Sequence, residues 1–128
     1  MGLGHDPDRR RRTFLAGHRA ERIALIWLAL QGYRVLARRY AVRGGEIDLV
    51  LRRGGCVIFV EVKARPTLVE AATAVTPAQG RRIARAAAVW LARNPWASTL
   101  TLRGDILAIA PWRWPRHCKG ALPIQAET

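Results

Sequence analysis

The stretch GGEIDLVLRRGGCVIFVEVKAR, residues 44–65, decides how this chain folds. Two runs rich in Val, Ile and Leu flank Gly54 and Gly55, and a Gly-Gly pair between such runs predicts a two-residue β-hairpin. In the first run Ile47, Leu49 and Leu51 fall on one face and Glu46, Asp48, Val50 and Arg52 on the other, because strand side chains alternate. A two-residue turn also fixes the pairing: Asp48 faces Glu61, Glu46 faces Lys63, Val50 faces Phe59 and Arg52 faces Val57. The polar groups therefore gather on one face of the sheet.

On the N-terminal side, Tyr33 to Val42 reads as another strand, closed by a turn at Arg43, Gly44 and Gly45. Before it, Ala20, Ile23, Ala24, Trp27 and Leu28 recur at helical spacing and predict an amphipathic helix from Thr13 to Gln31, ended by Gly32. On the C-terminal side, Thr76, Pro77 and Gln79 supply an N-cap, a first-turn proline and a capping-box partner. A second helix should start there, bury Ile83, Ala84, Ala87, Trp90 and Leu91, and close at Asn94 and Pro95. Leu100 to Ala110 reads as a last strand. The order is an α/β pattern, an αβββαβ core with a mixed sheet flanked by helices. The crossover from Arg65 to Leu100 leaves room for a right-handed parallel pair. Residues 1–12 are expected to form a flexible basic arm, 13–110 the folded domain, and 111–128 a tail that wraps the surface or frays.

The chain has 128 residues, 22 Lys plus Arg against 9 Asp plus Glu, and a formal charge of +13. Half its residues are apolar, which argues against a disordered chain. A surface this basic attracts polyanions through phosphate contacts and counterion release, so nucleic acid is the first partner to consider. Cys56 and Cys118 lie far apart with no CxxC pair, which argues against a disulfide scaffold or structural zinc and for a reducing compartment. Arg11 to Leu15 reads like a twin-arginine export motif, but His18, Arg19, Glu21 and Arg22 follow at once. The apolar run Ile23 to Leu30 is far short of the roughly 20 residues of a membrane span. A cytoplasmic chain with no membrane partner is expected.

Like charges opposed across a strand pair, with Cβ atoms about 5 Å apart, destabilise it unless something compensates. A divalent cation would compensate. Mg²⁺ (or Mn²⁺) is held by one or two carboxylates while keeping waters for a phosphate substrate, and Asp48 and Glu61 fit that task. Lys63, two residues past Glu61, would stand beside the metal and orient or help deprotonate an attacking water. Only two of the 22 basic residues are lysines, Lys63 and Lys119. An ammonium shifts its pKa on burial, whereas guanidinium is a poor base. The alternative is a plain Glu46–Lys63 cross-strand ion pair.

Gly17 with Ala20, Glu21 and Ala24, then Gly44 to Val50, Phe59 to Arg65 and Ala74 to Ile83, resemble the YraN-like family of small bacterial proteins. That family is regarded as a predicted branch of the PD-(D/E)xK, restriction-endonuclease-like nucleases, related to Holliday-junction resolvases. The likeness runs from about Gly17 to Ile109. It implies a restriction-endonuclease-like fold in which Asp48 and Glu61 bind the metal and Lys63 completes the ExK motif. Glu21 would be the acidic residue of the first helix, or else a helix-edge carboxylate paired with an Arg. Glu46 belongs to the same block, with a supporting role in holding Lys63. Gln79 stands where many relatives carry Lys, and is either a phosphate or water contact or only the capping-box partner of Thr76. Gly104 stands where Phe is frequent, and Asp105 beside it reads as a structural acid. The implied activity is metal-dependent cleavage of branched or junction DNA, with a homodimer compatible with cutting two strands. The alternative is a non-catalytic nucleic-acid-binding module of the same fold.

Arg43, in a strand-and-turn cluster with Arg34, Arg38 and Arg39, and Arg81, Arg82, Arg85 and Arg93 on the second helix are expected phosphate contacts. Arg65, just beyond the ExK strand, is expected to touch the backbone of the scissile strand. Phosphate contacts position without reading sequence, which favours selection by DNA structure. Trp112 and Trp114 either stack on bases or cover an apolar patch.

Overall fold

The computed structural model describes residues 7–124, with side chains from Gly17 onward. Helix α1 (Pro7–Leu30) leads into strands β1 (Arg34–Val42), β2 (Gly45–Arg53) and β3 (Cys56–Ala64). A short helix α2 (Leu68–Ala72) and the long α3 (Pro77–Arg93) precede β4 (Thr101–Ile109) and β5 (Arg116–Leu122). The strands form one mixed sheet in the order β1-β2-β3-β4-β5. This is the expected α/β core, consistent with a restriction-endonuclease-like arrangement.

Local chemistry places each element. Gly54 and Gly55 make the two-residue turn, and the ladder runs from Arg53↔Cys56 to Leu49↔Val60 in the predicted register. The capping box of α3 is formed in both directions: the Gln79 N–H donates to Thr76 Oγ1 at 3.1 Å, and the Thr76 N–H donates to Gln79 Oε1 at 2.9 Å. The crossover through α2 and α3 returns the chain so that β4 pairs parallel to β3. Gly45 permits the close packing of β2 under α3, because a Cβ there would lie 2.5 Å from the Arg82 carbonyl oxygen.

Three expectations are corrected. Helix α1 begins at Pro7, so residues 7–12 continue the helix; residues 1–6 of the expected basic arm lie outside the described residues. The expected tail turns back beyond Pro115 as β5, antiparallel to β4. Its sequence, RHCKGAL, has no apolar alternation and buries only Leu122, which is why it did not read as a strand. Finally, Ile47 packs with Val50, Phe59, Ile83 and Trp90 on the α3 side, whereas Leu49 and Leu51 pack with Ala24 and Leu28 of α1. Strict alternation is lost at Asp48. There the regular ladder stops, and the Asp48 carboxylate accepts the Val62 N–H at 2.8 Å.

The core thus has two layers, one on each face of the sheet. Phe59 meets Trp90 edge-on at a centroid separation of 5.6 Å, anchoring α3.

Candidate metal and nucleic-acid site

Where the hairpin ladder breaks, a cleft of about 390 Å³ opens between the sheet, α1 and the start of α3. Asp48 from β2 and Glu61 and Lys63 from β3 line it, as do Glu21 from α1 and Glu46 from β2. Arg65 and Gln79 complete the set of predicted residues that converge there. The hydrogen bond from Val62 fixes Asp48 beside the end of β3. Lys63 Nζ lies 3.4 Å from Glu61 Oε2, both side chains being more than four-fifths buried.

Glu61 is the most perturbed carboxyl of the site. Burial first, then the adjacent Asp48 carboxylate, push its pKa up to about 8, and the Lys63 ammonium offsets only part of this. Glu61 therefore carries a proton at neutral pH unless a cation takes its place. Paired hard oxygen donors suit a divalent cation such as Mg²⁺. Among the described residues no group of three or more His, Cys, Asp or Glu is arranged to hold a metal. Two carboxylates would leave the remaining positions to water and substrate oxygens, which is the arrangement Mg²⁺ commonly adopts.

The surrounding residues divide. Glu21 accepts from Arg39 Nε at 3.0 Å, and Arg39 also donates to His18, so the helix-edge ion pair and the cleft position are both present. Gln79 likewise serves the capping box while lining the cleft. The predicted Glu46–Lys63 pairing is corrected: Lys63 pairs with Glu61, and Glu46 is exposed. The hairpin register does not extend to Glu46, because Asp48 interrupts it. Arg43, Arg81, Arg82 and Arg85 lie outside this cleft. Arg85 donates from Nε to the Arg43 carbonyl at 2.7 Å, and Arg81 and Arg85 line a separate groove between α3 and β5.

A second polar cluster was only half legible in the sequence. Asp105 is fully buried on β4 and accepts from Arg103 Nε and Nη2 at 2.8 Å each, from the Gly120 N–H at 2.9 Å, and bonds His117 Nε2 at 2.7 Å. Burial pushes its carboxyl up, but these partners outweigh it and hold the pKa at about 2. Asp105 is thus the structural acid expected, tying β5 to β4. His117 as its partner had no signal in a segment read as tail.

A family model described as "Uncharacterised protein family UPF0102" matches residues 20–109, which include every residue of the carboxylate cleft except Gly17. The chain belongs to the UPF0102 family. A UPF0102 protein of Methylobacterium nodulans is 57% identical over 117 residues, covering 91% of this chain and 91% of the relative. One of Methylocella silvestris is 50% identical over 119 residues, covering 93% and 96%. One of Mesorhizobium japonicum is 49% identical over 112 residues, covering 88% and 90%. Membership of UPF0102 accords with the YraN-like resemblance of the hairpin motifs.

Proposed function

We propose that the chain is a metal-dependent DNA endonuclease of the PD-(D/E)xK type that hydrolyses phosphodiester bonds in branched or junction DNA. The observation that carries this reading is the convergence of Asp48, Glu61 and Lys63 in one cleft at the broken end of the hairpin. Asp48 and Glu61 would hold Mg²⁺ or Mn²⁺, which when bound supplies Lewis-acid stabilisation and a more acidic water. The Val62 N–H holds the Asp48 carboxylate in place. Lys63, mostly buried beside Glu61, orients the attacking water or takes part in its deprotonation. Arg65, exposed at the cleft edge, grips the backbone of the cut strand. Contacts to phosphate carry no base information, so selection falls on DNA structure. A cytoplasmic setting fits the two free cysteines. Among the described residues no helix is long and apolar enough to cross a membrane.

The competing reading, a nucleic-acid-binding module without turnover, is favoured by one observation: a proton on Glu61, with Lys63 Nζ 3.4 Å from its Oε2, relieves the charge crowding of the cleft without a metal. The two part company in a single assay. Branched, flapped, single-stranded and duplex DNA are incubated with the protein in Mg²⁺, Mn²⁺ or EDTA, beside Asp48→Ala and Glu61→Ala. Metal-dependent cutting lost in both variants, with DNA binding kept, supports the nuclease. Binding without product in any metal supports the module.

A further inference from the structure

A groove of about 650 Å³ adjoins the carboxylate cleft and shares Ala20, Ala64 and Arg65 with it. Ile23, Ile109 and Pro115 give it apolar walls, and Arg19, Arg65 and Arg113 are its charged residues. No acidic side chain lines it among the described residues.

Trp112 stands on this groove, and two facts about it are costly. Its side chain is fully exposed. Its backbone φ is +62°, a conformation that a bulky L-residue rarely adopts. The Arg113 N–H donates to the Ala110 carbonyl at 3.4 Å, closing a turn with Pro111 and Trp112 at its centre. Proline followed by a positive-φ residue is the type II pattern, and its third position favours glycine. A tryptophan thus occupies a glycine position and gains no burial there. Strain of this kind persists where it positions a group for use. Its neighbour Trp114 is also largely exposed, but it has a ring partner, lying 5.6 Å from Trp27 of α1.

We infer that this groove binds an unpaired nucleotide of the DNA, its base stacked on Trp112 and its phosphates held by Arg19, Arg65 and Arg113. The inference rests on the reading of the adjoining cleft as a DNA-cleaving site and specifies how a branch is told from a duplex. A paired base offers no free face to Trp112, whereas a splayed base does. Arg65, common to both hollows, would then join the stacked nucleotide to the strand presented to Asp48 and Glu61.

The test is a binding titration in EDTA, by fluorescence anisotropy, so that its outcome does not depend on cleavage. The probes are a labelled duplex with a single-stranded flap, the same DNA with abasic sugars at the flap nucleotides nearest the junction, and the fully paired duplex. Trp112→Gly suits the backbone, so its melting temperature should equal or exceed wild type. It should weaken flap binding roughly tenfold and duplex binding less than twofold, while Trp112→Phe keeps most of the flap affinity. The abasic flap should reproduce the loss with the unaltered protein, and Trp112→Gly should then add nothing. Equal losses on flap and duplex, or wild-type flap binding by Trp112→Gly, would overturn the inference. So would a change in oligomeric state with flap binding intact, which would make the groove a contact between copies. Loss of cleavage in Asp48→Ala with these binding differences preserved bears on the nuclease reading alone.

Discussion

Asp48 does two things at once: its side chain takes a backbone N–H that a regular ladder would have given to a carbonyl, and by doing so it stays at the open end of the hairpin beside Glu61. The proximity of its side chain to Glu61 was legible in the sequence from the Gly-Gly turn, but the expected Asp48–Glu61 ladder pair is not formed, because the register ends at Leu49↔Val60. The displacement of Ile47 and Glu46 was not, because alternation assumes an unbroken strand. Lys63 answers to the same site. Lys63→Met should lower metal-dependent cleavage about a hundredfold or more while leaving DNA affinity within a few-fold, measured in single-turnover assays. Asp105 makes a separate, structural prediction. Its pKa is about 2 folded against an ordinary 3.8, so the folded state binds its proton less readily than the unfolded chain does. The stability it contributes is present above about pH 4 and is lost as pH falls toward 2, up to about 2 kcal/mol. Asp105→Ala should destabilise the protein by about 3 kcal/mol in urea, since it leaves Arg103 and His117 without their buried partner. Its remaining stability should fall less steeply between pH 4 and pH 2.

Among the elements, β2, β3 and α3 announce themselves in the sequence because turn glycines and a complete capping box mark their ends. Strand β5 does not, since it is held by ladder bonds and by Asp105 rather than by an apolar face. Gly104 records that docking. A Cβ at this position would lie 2.6 Å from the Leu122 carbonyl oxygen and 2.5 Å from Ile124 Cγ2. Backbone cannot yield as a flexible side-chain end does. Gly104→Ala should therefore cost about 1–3 kcal/mol, read as a lower urea midpoint, with β5 amides exchanging faster in the folded state.

At the scale of the whole molecule, the charge of +13 is the property read most directly from composition, but its distribution was not. Arg65 reaches the carboxylate cleft, whereas Arg81 and Arg85 face a groove between α3 and β5. Spacing along a helix gives a face, and only packing tells which site that face borders. DNA binding should weaken steeply with salt, log K falling linearly with log salt concentration. Replacing Arg81, Arg82 and Arg85 together by Ala should reduce that slope by about 2–3 if all three neutralise phosphates. An unchanged slope would assign α3 to another partner.

The claim that everything functional depends on is that Asp48 and Glu61 jointly hold a divalent cation. Titration of Mn²⁺ followed by electron paramagnetic resonance tests it without DNA. One ion should bind per chain in the unaltered protein, with binding lost in both Asp48→Asn and Glu61→Gln. Binding that persists unchanged in both variants, or no binding by the unaltered protein at millimolar Mn²⁺, would contradict it.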